Sequence, residues 1–165
     1  MTLRRYVAWP DKRLRSPAAP IEAVTDEIRT LWDDMIETMD AMPGVGLAAP
    51  QIGVMLQVAV VDASEARNKR IRLANPVIID ASAVLHPYEE ASPNLPGFSA
   101  VIRRPRGVKV RFLDETGLEV ERDFVGLEAV SVQHQIDHLA GKMYFDNLSK
   151  TKRDMLLRKA RKQNG

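Results

Sequence analysis

Gln133-His134-Gln135-Ile136-Asp137-His138-Leu139-Ala140-Gly141 holds two of the chain's three histidines, four residues apart. On a helix, positions i and i+4 lie on one face, one turn apart. Two imidazoles so placed can share one divalent metal, as in the H-E-x-x-H pattern. Here the residue after the first histidine is Gln135, not glutamate. The ligand half of that pattern is intact, and the half that moves protons is missing. The residues from Gly126 to Leu139 read as the helix that carries the pair, and Gly141 stops it.

Outward from that helix the pattern changes period. Upstream, Gly107–Asp114 alternates apolar and polar residues, Glu115-Thr116-Gly117 is a turn, and Leu118–Phe124 returns, which is a hairpin. Ala100–Arg104 reads as a short strand. In the stretch His86–Gly97, three prolines deny both helix and central strand. Arg72–Asp80 and Leu56–Asp62 read as strands, the first carrying Asn75-Pro76, which suits an edge or an extended bend. Gly44–Gly53 is dense in small residues, which permits close approach of a backbone or ligand. Its one polar side chain with reach, Gln51, taken alone is a surface amide. Residues 21–41 carry apolar side chains at three- and four-residue steps and read as the first helix, ended by Pro43-Gly44. Residues 1–20 read as a wrapping arm anchored by Leu14. Downstream, 150–162 reads as a basic terminal helix with Met155 and Leu156 on its apolar side. Hairpins outnumber crossovers, so the fold class is α+β.

At 165 residues, 45% hydrophobic and 28% charged, the chain has the make-up of one globular domain spanning 1–165. It contains no cysteine, which excludes disulfides, a thiolate nucleophile and a sulfur metal ligand. With no apolar leader and no apolar run near the ~20 residues that span a bilayer, the expectation is a cytoplasmic protein that does not engage a membrane. The net charge of +2 is unevenly spread. Residues 150–165 hold seven Lys or Arg and one Asp, a surplus of +6, against −4 for the remainder. Such a segment is either a solvated helix face or a contact for ribosome, RNA or acidic lipid. DNA is not an expected partner.

Taken together, Gly44–Gly53, Asn75-Pro76, Glu90–Pro96, Val108–Gly117, Gln133–Gly141 and Phe145-Asp146-Asn147-Leu148-Ser149 resemble the peptide deformylase family, nearly end to end. The resemblance implies that family's fold, antiparallel sheets around a central helix, here the one carrying HQIDH. It also implies a reaction, removal of formyl from the N-terminal methionine of nascent chains. In the family the metal, usually iron(II), is held by one Cys and two His, a Glu beside the first His moves the proton, and a Gln side chain and a backbone N–H hold the oxyanion. Carried onto this chain, the ligand histidines match His134 and His138, and the Gln donor matches Gln51. The middle motif, Glu-Gly-Cys-Leu-Ser in the family, reads Glu90-Ala91-Ser92-Pro93-Asn94. Ser92 therefore replaces the Cys ligand, Pro93 has no N–H to offer the oxyanion, and Gln135 replaces the catalytic Glu. The resemblance further matches Glu90 and Arg104 to a bracing pair. It matches Leu127, Val130 and Ser131 to the methionine pocket, and Val45 and Gly46 to backbone that bonds an extended peptide. Ser99 stands where the family often has an Arg toward the far end of the substrate.

Three readings follow. The first is a deformylase-like protein without efficient deformylase activity, binding N-terminal peptide segments, or the ribosome through its basic tail. A divalent metal (Fe2+, Zn2+ or Ni2+) would then be weakly bound or absent, because a neutral serine hydroxyl is a poor ligand beside a thiolate. The second is a divergent metal-dependent deformylase or amidohydrolase, its metal site completed by Ser92, Glu89 or Glu90. The third, Ser92 as a nucleophile, is the weakest: there is no G-x-S-x-G elbow, and Pro93 removes the neighbouring donor.

Overall fold

A computed structural model describes residues 2–164. Helix α1 spans Asp26–Ala41. It starts five residues later than the periodicity alone predicts because the Thr25 side chain accepts from the Ile28 N–H and caps it there. Ile21 and Val24 still pack on the core, from extended chain rather than helix. The buried face of α1 holds Ile28, Leu31, Trp32, Met35, Ile36 and Met39, and Trp32 donates its indole N–H to the Ala59 carbonyl at 3.0 Å.

The main sheet is antiparallel, with strands β1 (Gly46–Ala48), β2 (Val58–Val61), β3 (Ile71–Ala81), β6 (Gly107–Leu113) and β7 (Glu119–Val125) in the order β1-β2-β3-β6-β7. Between β3 and β6 in the chain, β4 (Leu85–Glu90) and β5 (Ala100–Pro105) form a separate two-stranded ribbon. β4 occupies sequence whose prolines exclude a central strand. Pro87 is tolerated because β4 pairs with β5 alone. β1 has no signature of its own: Gly46-Leu47-Ala48 becomes a strand only by pairing with β2, and Ala49–Ile52 then turns away as a short 3-10 helix.

Asn75 marks a shift of register within β3, with φ of 50°, a conformation Asn tolerates better than most residues. Its side chain accepts from the Ile21 N–H and donates to the Ile21 carbonyl, acting as a strand partner for the N-terminal arm. The arm contains a short 3-10 turn, Lys12–Arg15, capped by Asp11 and anchored by buried Leu14.

Helix α2, Gly126–Leu139, matches the span expected from its flanking glycines and packs against β1, β2, β6 and β7. Ala129, Val132 and Leu139 enter the core, while the polar residues of the same helix are buried too. Helix α3, Lys150–Asn164, docks through Leu156, Leu157 and Ala160. Met155, expected beside Leu156 on the apolar side, is instead 53% exposed. Among the described residues no helix is long and apolar enough to cross a membrane.

Candidate active site

α2 brings His134 and His138 inside, both buried. Their Nε2 atoms face each other at 3.1 Å, and the rings lie 4.8 Å apart. His134 is held from behind: its Nδ1 lies 2.9 Å from Glu90 Oε1. Glu90 in turn takes two bonds from Arg104, at 2.7 and 2.9 Å, and Arg104 reaches Asp137 at 2.9 Å. Burial alone would push the Glu90 carboxyl up, but the hydrogen bonds of His134 and Arg104 outweigh it and hold the pKa below the ordinary value. The bracing pair expected from the family resemblance thus ties the middle motif to the histidine helix.

In the tautomer in which neutral His134 gives its Nδ1–H to Glu90, His138 is the donor between the two Nε2 atoms. Burial, then the neighbouring His134 and Arg104, push the His138 pKa well below that of a free imidazole. Its Nδ1 has no hydrogen-bond partner among the described residues. A metal held by both Nε2 atoms would move the His138 proton to Nδ1, a buried donor without an acceptor. Metal-bound histidines almost always donate their second ring N–H to such a partner. Leaving it unmet costs roughly 1–3 kcal/mol.

The third ligand position fits a metal no better. The Ser92 hydroxyl donates to Asn94 Oδ1 at 3.0 Å and accepts from Gln51 Nε2 at 3.3 Å. It belongs to that network rather than to the imidazoles. Glu90 is spent on Arg104 and the far side of His134, and Glu89 is exposed, accepting from Ser99 Oγ at 2.7 Å. Among the described residues no group of three or more His, Cys, Asp or Glu side chains is placed to hold a metal ion. The donor set present, two imidazoles and a neutral hydroxyl, does not fit a tightly held divalent metal.

Gln51 is 1% exposed, so the reading of it as a surface amide is wrong. Its Oε1 accepts from the Ala48 N–H at 2.9 Å, and its two N–H groups go to Asn94 Oδ1 at 2.8 Å and to Ser92. Asn94 closes the network by donating to the carbonyls of Val7 and Gln51. Nothing in the sequence of the middle motif assigns Asn94 this role. Asp137 and Tyr144 were missed as well. Tyr144 stacks on His134 with 13° between the rings, and burial, then Glu90, push its hydroxyl up to about 12.

The cavity beside this cluster measures about 250 Å3. Leu127 and Val130, with Met42 and Pro43, supply apolar wall, and Val45, Gly46, Gln51, Ser131, His134 and Gln135 also line it, whereas Ser92 and His138, expected in the same site, do not. Ser131 donates to the Val45 carbonyl at 2.8 Å. Gly46 is closely packed: a Cβ there would lie 2.4 Å from Ser131 Oγ and 2.5 Å from Gln135 Nε2, so a larger residue would displace those side chains. Gln135 is buried, and its Oε1 is unpartnered among the described residues. An amide cannot accept and return a proton as a carboxylate does.

Comparison with known proteins agrees with the arrangement. The family model described as polypeptide deformylase matches residues 3–154. A peptide deformylase of Azotobacter vinelandii is 44% identical over 164 residues, covering 99% of this chain and 98% of its own. One from Phenylobacterium zucineum is also 44% identical, covering 98% and 97%. Among solved structures, a peptide deformylase from Legionella pneumophila aligns with a TM-score of 0.89 at 39% identity, over 99% of this chain and 96% of that one. The Ehrlichia chaffeensis peptide deformylase, solved in complex with actinonin, gives 0.91 at 37%, over 99% and 98%. The α+β architecture, the central helix and the C-terminal helix are those of this fold. The chain belongs to the peptide deformylase family, and it is a member from which the cysteine ligand is missing.

Proposed function

We propose that this chain, as one domain over residues 1–165, binds N-terminal peptide segments and does not carry out efficient deformylation. The observation that carries the reading is the closed Gln51–Ser92–Asn94 network. It occupies both N–H groups of the one side chain expected to hold an oxyanion. Pro93 has no N–H to add. Loss of one such donor typically costs about 10²–10³ in rate, and loss of a general acid–base about 10²–10⁴.

The binding half rests on features that remain. β1 is an edge strand. Because the Asp62 N–H bonds to the Val45 carbonyl, parity along the strand turns the N–H and C=O of Gly46 to the outer edge. An extended peptide can pair there and place its first side chain between Leu127 and Val130. The basic charge of α3 supports ribosome contact as a second attachment, and a cytoplasmic setting goes with it. The test is full-length protein with formyl-Met-Ala-Ser. The expected result is saturable binding by calorimetry and no release of formate above the rate without protein. Formate release that depends on Gln135 would overturn the reading.

One observation favours a second reading, a divergent metal hydrolase. The two Nε2 atoms converge, and His134 is braced by Glu90 in the way metal-bound histidines are. In that reading Fe2+, Zn2+ or Ni2+ is held by His134 and His138 with a weak third donor. Metal content decides between the two.

A further inference from the structure

A second concavity, of about 580 Å3, lies between β5 and α3. Phe98, Val101 and Leu148 line one side, and α3 supplies Lys152, Met155, Leu156 and Lys159. Those four are spaced at i, i+3, i+4 and i+7, so they share one face of the helix. Val101 and Met155 are more than half exposed, an apolar floor left open to solvent. Lys150 pairs with Asp154, and Arg153 lies within 4.0 Å of Asp146. Among the described residues no carboxylate stands within ion-pair distance of Lys152 or Lys159, so the apolar floor has an uncompensated basic rim.

This groove adjoins the candidate site. Glu89 borders the first cavity, and Val101 lines the second. They are direct cross-strand partners, so their side chains project from the same face of the ribbon. Ser99, which lines the groove, bonds to Glu89. A peptide leaving the first cavity past Ala91 therefore meets a continuous surface leading to α3.

We propose that the groove between β5 and α3 receives the downstream residues of the same bound peptide, taking an apolar side chain over Val101 and Met155 followed by carboxylates at Lys152 and Lys159. The inference rests on the peptide-binding reading and adds a composition to it: the ligand is a longer segment, apolar and then acidic. Ser99 gives the passage between the two cavities no basic group, and Glu89 puts a carboxylate beside it, so the basic charge that selects the ligand is the one on α3.

The test is calorimetry on the full-length protein with three synthetic peptides, formyl-Met-Ala-Ser, formyl-Met-Ala-Ser-Gly-Leu-Glu-Glu and formyl-Met-Ala-Ser-Gly-Leu-Lys-Lys. The acidic heptapeptide is expected to bind about tenfold or more tighter than the tripeptide, which corresponds to about 1.4 kcal/mol. Added salt should erode that gain because the rim charges are exposed. The lysine heptapeptide should show no gain. In the double variant Lys152→Glu, Lys159→Glu, the tripeptide should bind as before and the acidic advantage should vanish. Tripeptide binding with no gain on elongation, or equal gain for both heptapeptides, would overturn this inference alone. A groove that instead binds oligouridylate without favouring the acidic peptide would do the same. Failure of all three peptides to bind would overturn the peptide-binding reading with it.

Discussion

The triple variant Ser92→Cys, Pro93→Leu, Gln135→Glu, prepared anaerobically with iron(II), is expected to gain deformylase activity on formyl-Met-Ala-Ser by about 10⁴-fold or more over the unaltered chain. The magnitude comes from the parts restored: an oxyanion donor at about 10²–10³ and a general acid–base at about 10²–10⁴, with the metal's own contribution in addition. These terms act as a unit, so single variants should recover far less than their share. Ser92→Cys alone supplies a thiolate but leaves no proton acceptor, and Gln135→Glu alone supplies the acceptor beside an unfilled ligand position. The scaffold favours recovery, because Glu90 already braces His134 and Arg104 already ties Glu90 to α2. A triple variant that folds, binds metal and still releases no formate would show that the lesion lies elsewhere in the site.

Arg104 carries the second large expectation. It is 5% exposed and bonds to both oxygens of Glu90 as well as to Asp137. Arg104→Leu leaves the Glu90 carboxylate buried with only His134 against it. Removing one member of a buried pair typically costs about 3–5 kcal/mol, much of it the unpaired charge. For a chain of this size each kcal/mol lowers the melting temperature by about 2–4 °C, so a fall of roughly 10 °C is expected by calorimetry. The double variant Arg104→Leu, Glu90→Leu removes the orphaned charge and should recover much of the loss. If Arg104→Leu melts within a degree or two of the parent, the pair is not what fastens β4 and β5 to α2.

The contrast between what was legible and what was hidden follows the range of the forces involved. α2 could be bounded from sequence because Gly126 and Gly141, both at positive φ, mark its ends locally. The hairpin from Gly107 was legible for the same reason: alternation and the turn lie within one short stretch. β1 was not, since nothing in Gly46-Leu47-Ala48 favours a strand until β2 pairs with it. Gln51 was misjudged as a surface amide because its partners, Ser92 and Asn94, are 41 and 43 residues away. Tyr144 reached the site by stacking on His134 across a turn that the sequence does not announce. The chemistry of the site was legible in another way. The resemblance sets Ser92, Pro93 and Gln135 against the family's Cys, backbone N–H and Glu, and the structure adds how the side chains around them are engaged. Gln51 is tied up, His138 is turned toward His134, and Ser92 faces Asn94.

The most direct measurement is metal content, by elemental analysis of full-length protein purified anaerobically with iron or nickel present. The account expects much less than one metal per chain, with no change in His134→Ala. One metal per chain, lost in His134→Ala, would contradict it and establish the imidazole pair as a working metal site.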